Sequence, residues 1–192
     1  MNIGIKNNVS KMTNSCLFFL GRKKYNNNNI FNILISPFST VKDGLTSYKG
    51  KNYPKETFTT FPVRWGDQDA MDHVNNVVYF QYFEQARGTW FIKHVNLPLS
   101  AVEAEKGNVA IAPILAQTSC KYKRPVVFPD TLTVGFTSEV VNAERGDFRH
   151  SYVVYSEQQD AVVAEGTADL VAYDYKNMKR EKIPDNWTFL QT

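Results

Sequence analysis

Apolar positions along this chain keep two different rhythms. Between Val77 and Val95 there is no proline, and Tyr79, Tyr82, Phe83, Ala86, Trp90 and Phe91 leave only a narrow polar stripe of Gln81, Glu84, Gln85 and Gly88. That spacing predicts a helix apolar over most of its circumference, which must be surrounded by protein. Asn75 or Asn76 is a natural cap for its start, and Leu97-Pro98 closes it. From Val109 onward the period falls to two. Val109–Arg124 reads as a long strand with a kink at Pro113, and Thr131–Val141 alternates with Leu132, Val134, Phe136 and Val140 on one face. Phe148–Glu157 and Ala161–Tyr173 follow as strands, the last with the small residues Ala164, Gly166 and Ala168 on one side, where something is expected to pack closely. Upstream, order is expected to begin near Thr57. Thr57–Trp65 reads as an edge strand interrupted by Pro62, and Gly66–Asn76 as a polar loop.

The order is one strand, one long apolar helix, then four strands joined mostly by short turns. Short turns make neighbours antiparallel. The fold class is therefore α+β, with one curved antiparallel sheet wrapped around one buried helix. The open edges of such a sheet are expected to pair with a second copy. Residues 51–175 form the expected domain, and 176–192 a peripheral tail in which Trp187 and Phe189 are candidates to dock.

Composition changes this picture mainly at the N-terminus. The chain has 192 residues, a length that suits one domain plus a tail, and 43% are hydrophobic, enough for a real core. Its formal charge of +3 is unevenly spread. Residues 1–50 hold seven Lys or Arg and one acid, Asp43, together with nine Asn; the remainder holds fifteen bases against eighteen acids. The domain is thus mildly acidic, which argues against nucleic-acid binding. The basic, acid-free start reads as a presequence for import into the mitochondrial matrix; an Asn-rich tail without an address and a secretory signal are the alternatives. No stretch approaches the ~18 apolar residues of a membrane-spanning helix. Two cysteines, Cys16 and Cys120, stand in no metal-binding or redox spacing and suit a reducing compartment. Cys120, with no base beside it, reads as packing.

The chemistry-bearing segment is Arg64–Arg87, a carboxylate-rich loop feeding the helix start. A helix N-terminus presents unpaired N–H groups and partial positive charge, and those donors suit a developing oxyanion. An acid a few residues upstream is within reach of the same point. The segment resembles the signature of hotdog-fold acyl-CoA thioesterases of the 4-hydroxybenzoyl-CoA thioesterase-like family. The resemblance rests on Trp65-Gly66-Asp67-Gln68-Asp69, on His73-Val74-Asn75-Asn76, on Tyr79, Tyr82, Glu84, Ala86 and Arg87 along the helix, and on Arg124-Pro125 with Phe128-Pro129-Asp130-Thr131-Leu132. It spans about residues 57–175.

This resemblance implies a hotdog fold, no cofactor or metal, a homodimer or homotetramer, and hydrolysis of an acyl-CoA to free acid and coenzyme A. It places the catalytic carboxylate at Asp69. An aspartate is ionised near neutral pH and attacks a thioester directly or deprotonates a water. Backbone N–H groups near Asn76, Val77 and Val78 would polarise the carbonyl, with Asn75 beside them. His73 is a candidate to orient substrate or assist proton transfer, or a pin for the loop. Some relatives carry a His where this chain has Asn76. Asp67 reads as a loop or cap residue, Asp72 as solvated, and Glu84 and Arg87 as structural. Tyr79 and Tyr82 are candidates for the acyl tunnel or for plain core. Lys121 and Lys123 share a strand face and, with Arg124, are candidates for the coenzyme A phosphates or a solvated strand end. Two rival functions use the same fold: a non-catalytic acyl-binding or assembly subunit, and an enoyl thioester hydratase.

Overall fold

The computed structural model describes residues 45–95 and 111–190. The expected Leu97-Pro98 closure, the link at 100–106 and the presequence up to residue 44 lie outside them. Within them, helix α1 (Asn76–Trp90) continues into a π turn, Phe91–Val95. Strands β3 (Thr59–Pro62), β4 (Ile111–Tyr122), β5 (Thr131–Asn142), β6 (Asp147–Ser156) and β7 (Ala161–Asp174) form one antiparallel sheet in the order β3-β5-β6-β7-β4. A two-residue strand β8 (Lys179–Arg180) pairs with the far end of β7. The helix lies on the inner face of the sheet. Asn75 caps it, its Oδ1 accepting from Val77 N–H at 3.1 Å.

The core forms where the two rhythms meet. Val78, Tyr79, Tyr82, Phe83, Ala86 and Trp90 face inward, while Gln81, Glu84 and Gln85 stay exposed. Phe83 stacks on Tyr152 with ring centroids 4.5 Å apart. It fits because Gly166 lies beneath it: a Cβ at 166 would come within 2.4 Å of the Phe83 ring. This is the close approach the small residues of the last strand foretold. Burying a side chain of this size contributes roughly 1.5–3 kcal/mol.

Three sequence expectations are corrected. Order begins no later than Leu45, well before Thr57. The hairpin of β1 (Ser47–Tyr48) and β2 (Lys51–Asn52) turns through Lys49 and Gly50, both at positive φ (51° and 74°), the backbone twist that two-residue hairpins favour. Leu45 and Tyr53 pack with Val153 and Tyr155 as a small second core on the outer face of the sheet. The clean one-face alternation of β5 therefore fails between Leu132 and Phe136, where both faces are buried; Gly135 lies under the Phe58 ring. The expected kink at Pro113 is absent. Pro113 pairs in register with Ala172, and the irregularity falls at Ala116 instead. An edge strand tolerates a proline whose missing N–H faces outward. After β7, the two aromatic residues expected to dock do so: Trp187 is buried in the main core with Leu190, and Phe189 packs against it.

Candidate active site

Loop 66–75 is built as a tight turn pinned from below. Gln68 and Val74 form an isolated antiparallel bridge. Between them Asp69 N–H donates to His73 O at 2.9 Å and Asp72 N–H to Asp69 O at 3.1 Å, with Asp72 at φ 61°. Asp and Asn tolerate this left-handed conformation better than other non-glycine residues. Val74 N–H reaches Val126 O, and Phe128 N–H reaches Gln68 Oε1 at 2.7 Å. The Phe128–Leu132 patch thus braces the loop. Asp130, buried, ties that patch to the next turn by accepting from Ser156 Oγ, Gln158 N–H and Thr131 N–H.

The two acids of the Asp67-Gln68-Asp69 run have separate tasks. Asp67 is buried and consumed by structure. It accepts from Arg64 Nη2 at 2.8 Å, from Arg64 N–H at 2.8 Å and from the Tyr82 hydroxyl at 2.9 Å, while its carbonyl holds Asn75 N–H. Burial pushes its carboxyl up, but the Arg64 and Tyr82 hydrogen bonds outweigh that and hold it below the usual aspartate value. Asp69 is only partly covered, at 28% side-chain exposure. Its Oδ1 accepts from Met71 N–H at 2.8 Å and stands 3.5 Å from His73 Nδ1 across the turn. Its Oδ2 has no hydrogen bond among the described residues.

At the helix start, the three expected donors reduce to one. Val77 N–H is taken by Asn75 Oδ1 and Val78 N–H by Asn75 O. Asn76 N–H has no hydrogen-bond partner among the described residues. Asn76 O receives the Tyr122 hydroxyl at 2.9 Å, which anchors the helix start to the end of β4; nothing in the sequence pattern singled out Tyr122. Tyr79 and Tyr82 lie in the core, and burial raises both phenols, that of Tyr82 further through Asp67. Around the loop, Trp65 and Met71 are 74% exposed and Val77 59%.

The remaining candidates sit elsewhere. Lys123 points to the outer face of the sheet, its Nζ 2.8 Å from Glu165 Oε1 and 3.1 Å from the Tyr48 hydroxyl. Arg124 is exposed where β4 ends, its N–H on Val163 O. Cys120 faces inward, and burial pushes its thiol up to about 11, which leaves it unreactive. Arg87 turns toward Tyr152 and His150 beneath the helix. Among the described residues no cluster of His, Cys, Asp and Glu is placed to hold a metal ion, and no helix is long and apolar enough to cross a membrane.

Comparison with known proteins places this geometry. The sequence model of the thioesterase-like superfamily matches residues 63–188. The long-chain acyl-CoA thioesterase FadM of Escherichia coli (strain K12) is 29% identical over 121 residues, which covers 63% of this chain and 86% of that protein. A protein of Aquifex aeolicus (strain VF5) is 30% identical over 122 residues, 64% of this chain and 87% of its own length. Among solved structures, an Aquifex aeolicus protein superposes with a TM-score of 0.57 at 26% identity, covering 70% of this chain and 98% of that one. A 1,4-dihydroxy-2-naphthoyl-CoA thioesterase from Synechocystis, at 19% identity and a TM-score of 0.59 over 70% of this chain and 94% of its own, shares the fold.

Proposed function

The chain belongs to the thioesterase-like superfamily, and from that premise we propose that Asp69 is the carboxylate with which it hydrolyses an acyl-CoA thioester to a free carboxylic acid and coenzyme A. The chain is a hotdog-fold thioester hydrolase. The observation that carries the residue assignment is the division of labour in the loop. Asp67 is spent on Arg64 and Tyr82, whereas Asp69 keeps Oδ2 free, just ahead of the helix start. Two routes use that oxygen. As a general base it takes a proton from water while the water oxygen adds to the carbonyl. As a nucleophile it forms an acyl–Asp69 anhydride that water then cleaves. In both, the C–S bond breaks, the sulfur leaves as a thiolate and is protonated to the thiol. Asn76 N–H, at the positive end of α1, is the donor for the developing oxyanion. Met71 N–H holds the other carboxylate oxygen, with His73 Nδ1 3.5 Å from it across the turn.

A second copy completes the site in this reading, covering Trp65, Met71 and Val77. Residues 1–50 direct the enzyme to the mitochondrial matrix, on the strength of their basic composition, seven Lys or Arg with no acid before Asp43; a reporter fused to them should enter mitochondria, and a diffuse cytosolic signal removes that assignment. The central test is thiol release from a panel of acyl-CoAs. Asp69→Asn is expected to lower turnover by about 10²–10⁴-fold with an unchanged unfolding midpoint. A variant that stays active refutes the role of Asp69.

A further inference from the structure

The β1–β2 hairpin closes over the outer face of the sheet, opposite the helix, and leaves a cavity of about 250 Å³ against β4, β6 and β7. Lys49 and Lys51 enter it from the hairpin and Lys121 from β4. Among the described residues Glu165 is the one acid in its lining, and its Oε1 lies 2.8 Å from both Lys49 Nζ and Lys123 Nζ. One carboxylate is therefore shared by two ammonium groups, and four lysines against one glutamate leave a formal +3 at the cavity. Glu165 is held down to about 2: burial opposes this, and the hydrogen bonds from Lys123, Lys49 and Tyr48 outweigh it. Among the described residues Lys51 Nζ donates only to the neutral Ser151 Oγ, at 2.8 Å, and Lys121 has no ion pair or hydrogen bond through its side chain. The floor carries the Ser119 and Thr167 hydroxyls, paired at 2.7 Å.

We propose that this outer-face cavity binds a phosphate monoester, with Lys51 and Lys121 as its direct ligands and the Lys49–Glu165–Lys123 cluster as the clasp that holds the hairpin over it. Cations gathered in a concave site focus an attractive field for anions, and lysine meets a phosphoryl group as a point charge. The cavity is smaller than the roughly 300–1,000 Å³ that encloses a drug-sized ligand, so it admits a phosphoryl end and leaves the rest of the molecule outside. The hairpin, with Lys49 and Lys51, lies ahead of the family match at residues 63–188, whereas Lys121, Lys123 and Glu165 lie within it. Two sources offer the same chemistry: the 3′-phosphate of the substrate's coenzyme A, or a separate phosphorylated ligand. Strand β4 links the cavity to the candidate active site. Lys121 and Lys123 point outward, and Tyr122 between them points inward to Asn76 O. Only the assignment to the substrate's own phosphate rests on the hydrolase reading.

Calorimetry on the full chain, with adenosine 3′,5′-bisphosphate and inorganic phosphate as probes, tests the site. Wild type is expected to bind the bisphosphate, more weakly as salt rises, and Lys51→Glu and Lys121→Ala are each expected to weaken it at least tenfold. Both positions are exposed, so thermal midpoints should hold within a few degrees. Failure of both probes to bind wild type, or binding unaltered in both variants, overturns the proposal. Steady-state kinetics assign the source. A raised KM for acyl-CoA at unchanged kcat in Lys51→Glu, absent with dephospho-acyl-CoA, gives the phosphate to the substrate; an unchanged KM beside lost bisphosphate binding gives it to a separate ligand. Acyl N-acetylcysteamine thioesters carry no phosphate and report hydrolysis alone. A chain inert on every thioester ends the hydrolase reading while the phosphate site stands on its calorimetry.

Discussion

Burial and hydrogen-bond partners, more than residue type, decide what each polar side chain does here. Asp67 and Asp69 are chemically identical and separated only by Gln68, yet the first is locked by a guanidinium and a phenol and the second is left with a free oxygen. The resemblance assigns the chemistry to Asp69 and a loop or cap role to Asp67, but the partner that consumes Asp67, the Tyr82 hydroxyl, lies fifteen residues away along the helix and is not legible in the sequence. His150 shows the same rule in the core. It is fully buried on β6, its Nδ1 paired with Ser138 Oγ at 2.8 Å, among Phe136, Phe148 and Tyr152. Burial, and then the charge of Arg87, push it from 6.5 down to about 3. The folded state therefore refuses a proton that the unfolded chain accepts below about pH 6.5. Stability from this residue is complete above that pH and is lost as pH falls toward 3. Urea unfolding at pH 7.5 and pH 5 should differ by about 2 kcal/mol from this group. His150→Gln is expected to remove that part of the slope; an unchanged slope would place the acid sensitivity elsewhere.

Elements were readable in proportion to their length. The helix and the four long strands announce themselves because ten or more residues repeat a period, and β4 to β7 fall within a few residues of their expected bounds. The β1–β2 hairpin has two residues in each strand, too few to show alternation; its signal is the Lys49-Gly50 turn, hidden in a segment whose basic composition suggests a different purpose. Lys49 and Lys51 were missed as candidates for the same reason. Gly166 illustrates what the long strands did show. The run of small residues predicted a close approach, and Phe83 makes it. Gly166→Ala should lower stability by about 1–3 kcal/mol, because neither the buried ring nor the Ser119 carbonyl beside it has room to yield. Gly88, also in a packed element, has nothing within 4 Å of a built Cβ. Gly88→Ala is expected to stabilise α1 by roughly 0.5–1 kcal/mol. Denaturant midpoints that move in the same direction for both would contradict this account of the packing.

In the whole molecule, the hairpin covers part of the outer face of the sheet, and among the described residues the long strand β4 is an open edge. The hairpin clasp seals part of the outer face with a second core, so that face offers less apolar surface to another copy. Strand β4 ends the sheet order with twelve residues, and Ile114 and Leu115 on it are 37% and 41% exposed. A long, apolar, unpaired edge is a template for association unless something covers it. Pairing β4 with β4 of a second copy would satisfy that edge and, through Tyr122 at its end, bring the second copy near Asn76 and the loop of Asp69. Lysines on an edge block such pairing, so Ile114→Lys combined with Leu115→Lys should halve the mass seen by light scattering. If the partner completes the site, thiol release should fall in step with the loss of dimer and return at protein concentrations that restore it. A variant that keeps the wild-type mass would show that copies meet through another surface, and a fully active monomer would show that one chain holds the entire site.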